Sequence, residues 1–189
     1  MTDRLQQLGA QLPAAKNPGN PPLHLWQPPL SGDIDIVIRA DGSWIHEGRP
    51  IQRHTLVRLF ASILRREEDG DYYLVTPVEK WRIKVELLPL LIVDFWLSNP
   101  GSKEQELWVR TNTDRELRVD ARHPLLQADE TLAVGQDSAE IPVIQLDHGL
   151  AGIFNRATWY RLVDAAEDRE SGPGILSCGV FYSLIAQAA

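Results

Sequence analysis

Isoleucines 34, 36 and 38 recur at every second position, with Asp35, Val37 and Arg39 on the alternate positions. This two-residue period predicts a strand with one buried face. Asp41-Gly42 supplies the positive φ of a tight hairpin turn, and Trp44 to Glu47 reads as the returning strand, broken by Gly48 to Pro50. The period then changes. Leu56, Leu59, Phe60, Ile63 and Leu64 fall on one face of a helix, with Arg58, Ser62 and Arg65 on the other. Thr55 is its candidate N-cap, and Asp69-Gly70 closes the segment. A run of strands follows over Asp71 to Thr76, Trp81 to Glu86, Leu90 to Leu97, Leu107 to Thr111 and Leu117 to Asp120. Short turns such as Asn99-Pro100-Gly101-Ser102 join them, which implies an antiparallel meander. Residues 121–140 are less regular. Ile141 to Leu146 reads as a strand, Thr158 to Ala166 as a helix, Glu167 to Gly174 as a loop, and Ile175 to Ile185 as a final strand.

The two helices share a local pattern, Arg-x-Thr-x-x-Arg-Leu, at 53–59 and 156–162. Each follows a strand, a turn and a second short strand, and each precedes a loop and a strand. This predicts an α+β protein of two similar halves, a duplicated β-β-α-β unit with an antiparallel sheet and one helix per half. Helices should superpose when residues 33–86 are laid on 141–186. The expected division is an extended proline-rich arm over 1–31, an N-terminal domain over 32–104 and a C-terminal domain over 105–189. Arg53 and Arg156 each stand just before a helix N-terminus, where the dipole disfavours positive charge. They read either as exposed arginines or as an anion site in which guanidinium and free helix amides converge.

At 189 residues and 43% hydrophobic content, the chain can build a sizeable core. A formal net charge of −7 makes it a poor general binder of nucleic acid. The apolar run Leu87 to Leu97 is too short to span a bilayer, so no membrane role is expected. Cys178 is the single cysteine, which excludes an intramolecular disulfide and fits a cytoplasmic location. It lies in an apolar strand and reads as a buried, inert thiol.

Signatures of chemistry are sparse. The sequence has no phosphate-binding Gly-rich loop, no His-Glu-x-x-His and no Gly-x-Ser-x-Gly. Its five histidines show no metal-ligand spacing, so neither cofactor nor metal is expected. The cluster Glu67, Glu68, Asp69 and Asp71 reads as a solvated helix end. Most tryptophans read as core anchors. Trp44 and Trp81, beside polar residues at strand ends, could instead stack on a ligand ring or pack an edge. Residues 74–81 run from a strand into a turn bearing Thr76, Glu79 and Lys80, either a well-made turn or a recognition loop.

Taken together, Gly32-Asp33-Ile34-Asp35-Ile36, Asp41-Gly42-Ser43-Trp44, Pro50-Ile51-x-Arg53, Tyr73-Leu74-Val75-Thr76-Pro77-Val78-Glu79-Lys80, Thr111-Asn112 and His123-Pro124 make the chain resemble the proteobacterial family catalogued as domain of unknown function 1285. The resemblance implies a duplicated α+β fold whose C-terminal half is pleckstrin-homology-like. It also implies a nucleotide-like ligand between the halves and a role in signal transduction. On this expectation the protein is a ligand-sensing or adaptor protein. Arg53 and Arg156 would hold an anion, Thr76, Glu79, Lys80 and Asn112 would supply hydrogen bonds, Trp81 would stack, and His123 would be a further donor. A protein-interaction module without a small ligand is the alternative, and an enzyme of unknown reaction is the least supported reading.

Overall fold

A computed structural model of the chain describes residues 21–127 and 141–185. Two compact units emerge, Met1–Glu86 with His148–Leu150, and Leu87–Asp147 with Ala151–Ala189. The division falls at residue 86, not at the expected 104. The reason is the strand Leu90–Ser98, which hydrogen-bonds into the second sheet and draws the boundary forward.

The N-terminal unit opens with a 3₁₀ turn, Leu23–Leu25, whose Leu23 is buried together with Trp26. Strands β1 (Leu30–Ile38), β2 (Trp44–His46) and β3 (Arg49–Pro50) form one meander. Helix α1 (His54–Ser62) follows, and then a second meander of β4 (Leu64–Arg66), β5 (Tyr72–Val75) and β6 (Lys80–Val85). The sheet order is β3-β2-β1-β6-β5-β4, and the central pair β1–β6 is parallel. The expected purely antiparallel sheet is therefore a mixed one: two antiparallel meanders meet through the first strand of one and the last strand of the other. The predicted alternation holds in β1, where Ile34, Ile36 and Ile38 are buried. Phe60 of α1 is fully buried, its ring 6.2 Å from that of Trp44. The helix ends earlier than its apolar spacing predicts, because Leu64 leaves it to pair with Leu74.

The C-terminal unit builds its sheet the same way. Its strands are β7 (Leu90–Ser98), β8 (Glu106–Thr111), β9 (Glu116–Arg118), β10 (Leu125–Leu126), β11 (Val143–Gln145) and β12 (Ala151–Phe154), in the order β10-β11-β12-β7-β8-β9 with β7–β12 parallel. Helix α2 (Arg156–Asp164) follows, and then a three-stranded antiparallel sheet of β13 (Glu167–Arg169), β14 (Gly172–Ser177) and β15 (Val180–Ser183). Both six-stranded sheets thus share one strand order. The helices do not share one place in it: α1 follows the third strand of its sheet, α2 the sixth. Laying helix on helix, as the Arg-x-Thr-x-x-Arg-Leu motif suggests, therefore pairs strands that are not equivalent in the two sheets.

Two further expectations change. The final strand is a hairpin, with Cys178 (φ 51°) and Gly179 (φ 79°) forming its two-residue turn. Cys178 is consequently exposed, not buried. The tryptophans reverse their expected places. Trp44 and Trp81 are buried on the sheet, while Trp96 and Trp108 form a half-buried cross-strand stack with centroids 6.1 Å apart. The expectations for 1–20 and for 128–140 lie outside the described residues. Among the described residues no helix is long and apolar enough to cross a membrane.

Candidate functional site

The strongest basic feature of the N-terminal unit begins at the β2–β3 hairpin. Glu47 (φ 49°) and Gly48 (φ 74°) form its two-residue turn, and the closing pair is His46 with Arg49. His46, Glu47 and Arg49 line a pocket of about 400 Å³ together with Pro50 and Ile51. The Ile51 amide donates to the Trp44 carbonyl (2.8 Å), which directs the chain into α1. Arg53 takes the N-cap position in an extended conformation (φ −79°, ψ 95°), so the expected cap, Thr55, lies inside the helix. The Arg53 carbonyl accepts from the amides of Leu56 (2.9 Å) and Val57 (3.2 Å).

Among the described residues no side chain caps α1, and its first turn holds no acidic residue. The Arg53 carbonyl takes up the Leu56 and Val57 amides, and the helix dipole places positive potential at this end. Residues 46–58 carry three arginines and two histidines against one glutamate, in a chain of net charge −7. Arg49 and Arg53 are exposed, and their side chains make no hydrogen bond or ion pair among the described residues. Helix α2 differs. Asn155 is its N-cap and accepts from the Thr158 amide (2.8 Å). Arg156, also exposed, is its first residue. The shared sequence motif thus has two local structures, one uncapped and one capped.

The other residues expected at a ligand site are committed within the protein. Thr76 is fully buried, and its hydroxyl accepts from the Glu79 amide (3.1 Å) and donates to the Glu79 carbonyl (3.2 Å). This is the well-made turn of the two readings open in the sequence. Glu79 is half-buried at the same turn. Lys80 bonds Glu67 (2.6 Å) and lies 4.8 Å from the centre of the Tyr73 ring. Glu67 also receives Arg65, whose guanidinium donates to the carbonyls of Leu23 (3.1 Å) and Trp26 (2.9 Å). Burial alone would raise the Glu67 carboxyl, but Lys80 and Arg65 outweigh it and hold the group below its usual range. Trp81 is buried in the core, which removes it as an exposed stacking surface. Asn112 is pinned to β7: its Oδ1 accepts from the Leu91 amide (3.1 Å), and its own amide donates to the Leu91 carbonyl (2.8 Å). His123 lies between carboxylates, with Nδ1 3.9 Å from Asp120 and Nε2 3.4 Å from Asp147. Among the described residues no group of three or more His, Cys, Asp or Glu side chains is placed to hold a metal ion.

The structure thus gathers His46, Arg49 and Pro50 around one pocket in the segment that leads to Arg53, which does not itself line it. None of these three was singled out as a site residue in the sequence. The signal that could have found them is the local charge excess, which the net acidity of the chain conceals.

Two family models match. The N-terminal domain of the domain of unknown function DUF1285 covers residues 21–87, and the C-terminal domain of the same family covers residues 89–184. The chain belongs to the DUF1285 family. Among solved structures, a DUF1285 family protein from Silicibacter pomeroyi DSS-3 is 37% identical with a TM-score of 0.80, over 94% of each chain. Another, from Shewanella baltica OS155, is 33% identical with a TM-score of 0.52, over 69% of this chain and 91% of that one. No curated protein matches. The junction between the DUF1285 domains, at residue 88, agrees with the division between the compact units.

Proposed function

We propose that this DUF1285 protein is a ligand-sensing protein that binds a small anionic, nucleotide-like ligand at the start of α1. The observation that supports this most is the uncapped N-terminus of α1 beside the unpaired guanidinium groups of Arg49 and Arg53. A phosphate or carboxylate would lie in the positive potential of the helix start and accept from one or both arginines, at charge-assisted strength. Arg156 contributes less in this reading, because Asn155 already occupies an amide of its helix. A role in signal transduction follows the family resemblance and depends on such a ligand existing.

The test is a thermal-shift screen of the full chain against nucleotides, cyclic dinucleotides and phosphorylated metabolites. A ligand at 100 times its dissociation constant adds about 2.7 kcal/mol of stability, a rise of roughly 5–10 °C. The double variant Arg49→Met/Arg53→Met is expected to lose the shift, and Arg156→Met to keep most of it. A ligand that binds the double variant as well as the wild type defeats the assignment.

A protein partner is the second reading. Leu30 and Val78 are 52% and 65% exposed, and the pairing of Leu30 with Lys80 places them at the same end of the N-terminal sheet. A flat screen together with a partner recovered by wild-type protein but not by Leu30→Ser/Val78→Ser would favour it.

A further inference from the structure

A second concave site lies on the N-terminal unit, a groove of about 990 Å³ at a break in strand register. Asp33 is paired with Arg82 and Val37 with Lys84, so three residues of β1 stand opposite Ile83 alone. Alternation turns Asp33, Asp35 and Val37 to the outer face, away from the buried Ile34, Ile36 and Ile38.

Charged residues of both signs line the groove: Asp33, Asp35, Asp71, Glu86, Arg82 and Lys84. Four of them are committed. Arg82 donates to Asp33 (2.7 Å) and to Asp71 (3.1 Å), and Glu86 accepts from the Ala40 amide (3.0 Å). The hydrogen bond from Arg82 holds the Asp33 carboxyl below its usual range, so this part of the lining stays ionised and satisfied. Asp35 and Lys84 remain. Both are exposed, and neither side chain makes a hydrogen bond or ion pair among the described residues. Val37 is paired with Lys84, and Asp35 stands two residues before it, about 7 Å along the strand. The Asp35 carboxylate and the Lys84 ammonium, whose charge also acts on Asp33, thus line a common groove without a hydrogen bond from either. A simple anion there would meet four carboxylates, and a simple cation would meet Lys84 and Arg82. A ligand bearing both charges satisfies both side chains.

We propose that this groove binds a small zwitterion whose charges stand several ångströms apart, an ω-amino acid or a dipeptide, with Asp35 taking the ammonium and Lys84 the carboxylate. The site is independent of Arg49 and Arg53, neither of which lines it.

The experiment is an amide-resolved NMR titration of the full chain with glycylglycine and with 5-aminopentanoate, at matched ionic strength. A dipeptide capped at both ends is the control. Saturable shifts are expected over residues 33–37 and 82–86 with both zwitterions, and none with the capped dipeptide. Asp35→Asn and Lys84→Met should each weaken binding about two- to fivefold, the range for a partly exposed ion pair. Asp35→Lys/Lys84→Asp should recover it with the ligand reversed, and Arg49→Met/Arg53→Met should leave it unchanged. Absence of saturable shifts, shifts outside the groove, or wild-type affinity in either single variant would overturn the proposal.

Discussion

Asp147, at the turn that leads into β12, keeps only 15% of its side chain exposed, with Arg115 at 2.6 Å and Arg122 at 2.9 Å. Burial would raise its pKa, but the hydrogen bond and charge of Arg115, with the charges around it, hold the carboxyl at about 2. A depressed folded pKa stabilises the native state above the unfolded value, near 3.8, and that stabilisation is lost as pH falls through the folded value. The difference corresponds to about 2 kcal/mol at neutral pH. Asp147→Asn should lower denaturant-measured stability by about that amount at pH 7, and the gap to wild type should close between about pH 4 and pH 2. Equal slopes of the two curves in that interval would show that the pairing is not the cause. At this scale the sequence shows which side chains can hydrogen-bond but not with what. Thr76 and Asn112 read as donors for a ligand, yet their partners are backbone groups of Glu79 and Leu91. For Asn112 that partner lies 21 residues away along the chain and is brought close by the β7–β8 pairing.

Local patterns predict the elements well where burial enforces a single period. β1 carries the predicted alternation, and α1 forms over most of its predicted spacing but starts at His54 and stops at Ser62, before Ile63 and Leu64. The failures are turns whose special backbone is carried by an ordinary residue. Cys178 adopts φ 51° at a hairpin tip, a position that asparagine or glycine usually announces, so one predicted strand is in fact two. The caps differ in the same way between helices of similar sequence. Asn155→Ala should cost about 1 kcal/mol, read as a melting-point fall of about 2–4 °C, whereas Thr55→Ala at the expected but unused cap of α1 should cost less. Gly174 offers another check on element packing. A Cβ there would lie 2.4 Å from the Phe181 ring and 2.6 Å from the Tyr182 carbonyl oxygen across the β14–β15 pair. Gly174→Ala is therefore expected to destabilise by about 1–3 kcal/mol, with Phe181→Leu partly rescuing it. Failure of the rescue would place the strain at the Tyr182 carbonyl, which a change at Phe181 does not move.

Each of the two six-stranded sheets joins its meanders through one parallel pair, β1–β6 and β7–β12. The division of the molecule follows from which sheet β7 completes. A fragment of residues 88–189 contains every strand of the second sheet, while one of residues 105–189 lacks the strand that bridges its two meanders. The longer fragment should give dispersed NMR spectra and a cooperative melt, and the shorter should not. A cooperative melt for residues 105–189 would return the boundary to the turn near residue 104. By itself the sequence determined the α+β class, most strand and helix positions, the family, and the basic stretch that leads into α1. These depend on side-chain periodicity and residue type, which act over one or two turns of chain. Only the tertiary structure decided the parallel pairings, the unit boundary, the burial of Trp44 and Trp81, the groove at the β1–β6 register break, and which polar groups remain uncommitted. Those depend on which distant segments exchange hydrogen bonds, and a parallel pairing reached through intervening strands leaves no local period in the sequence.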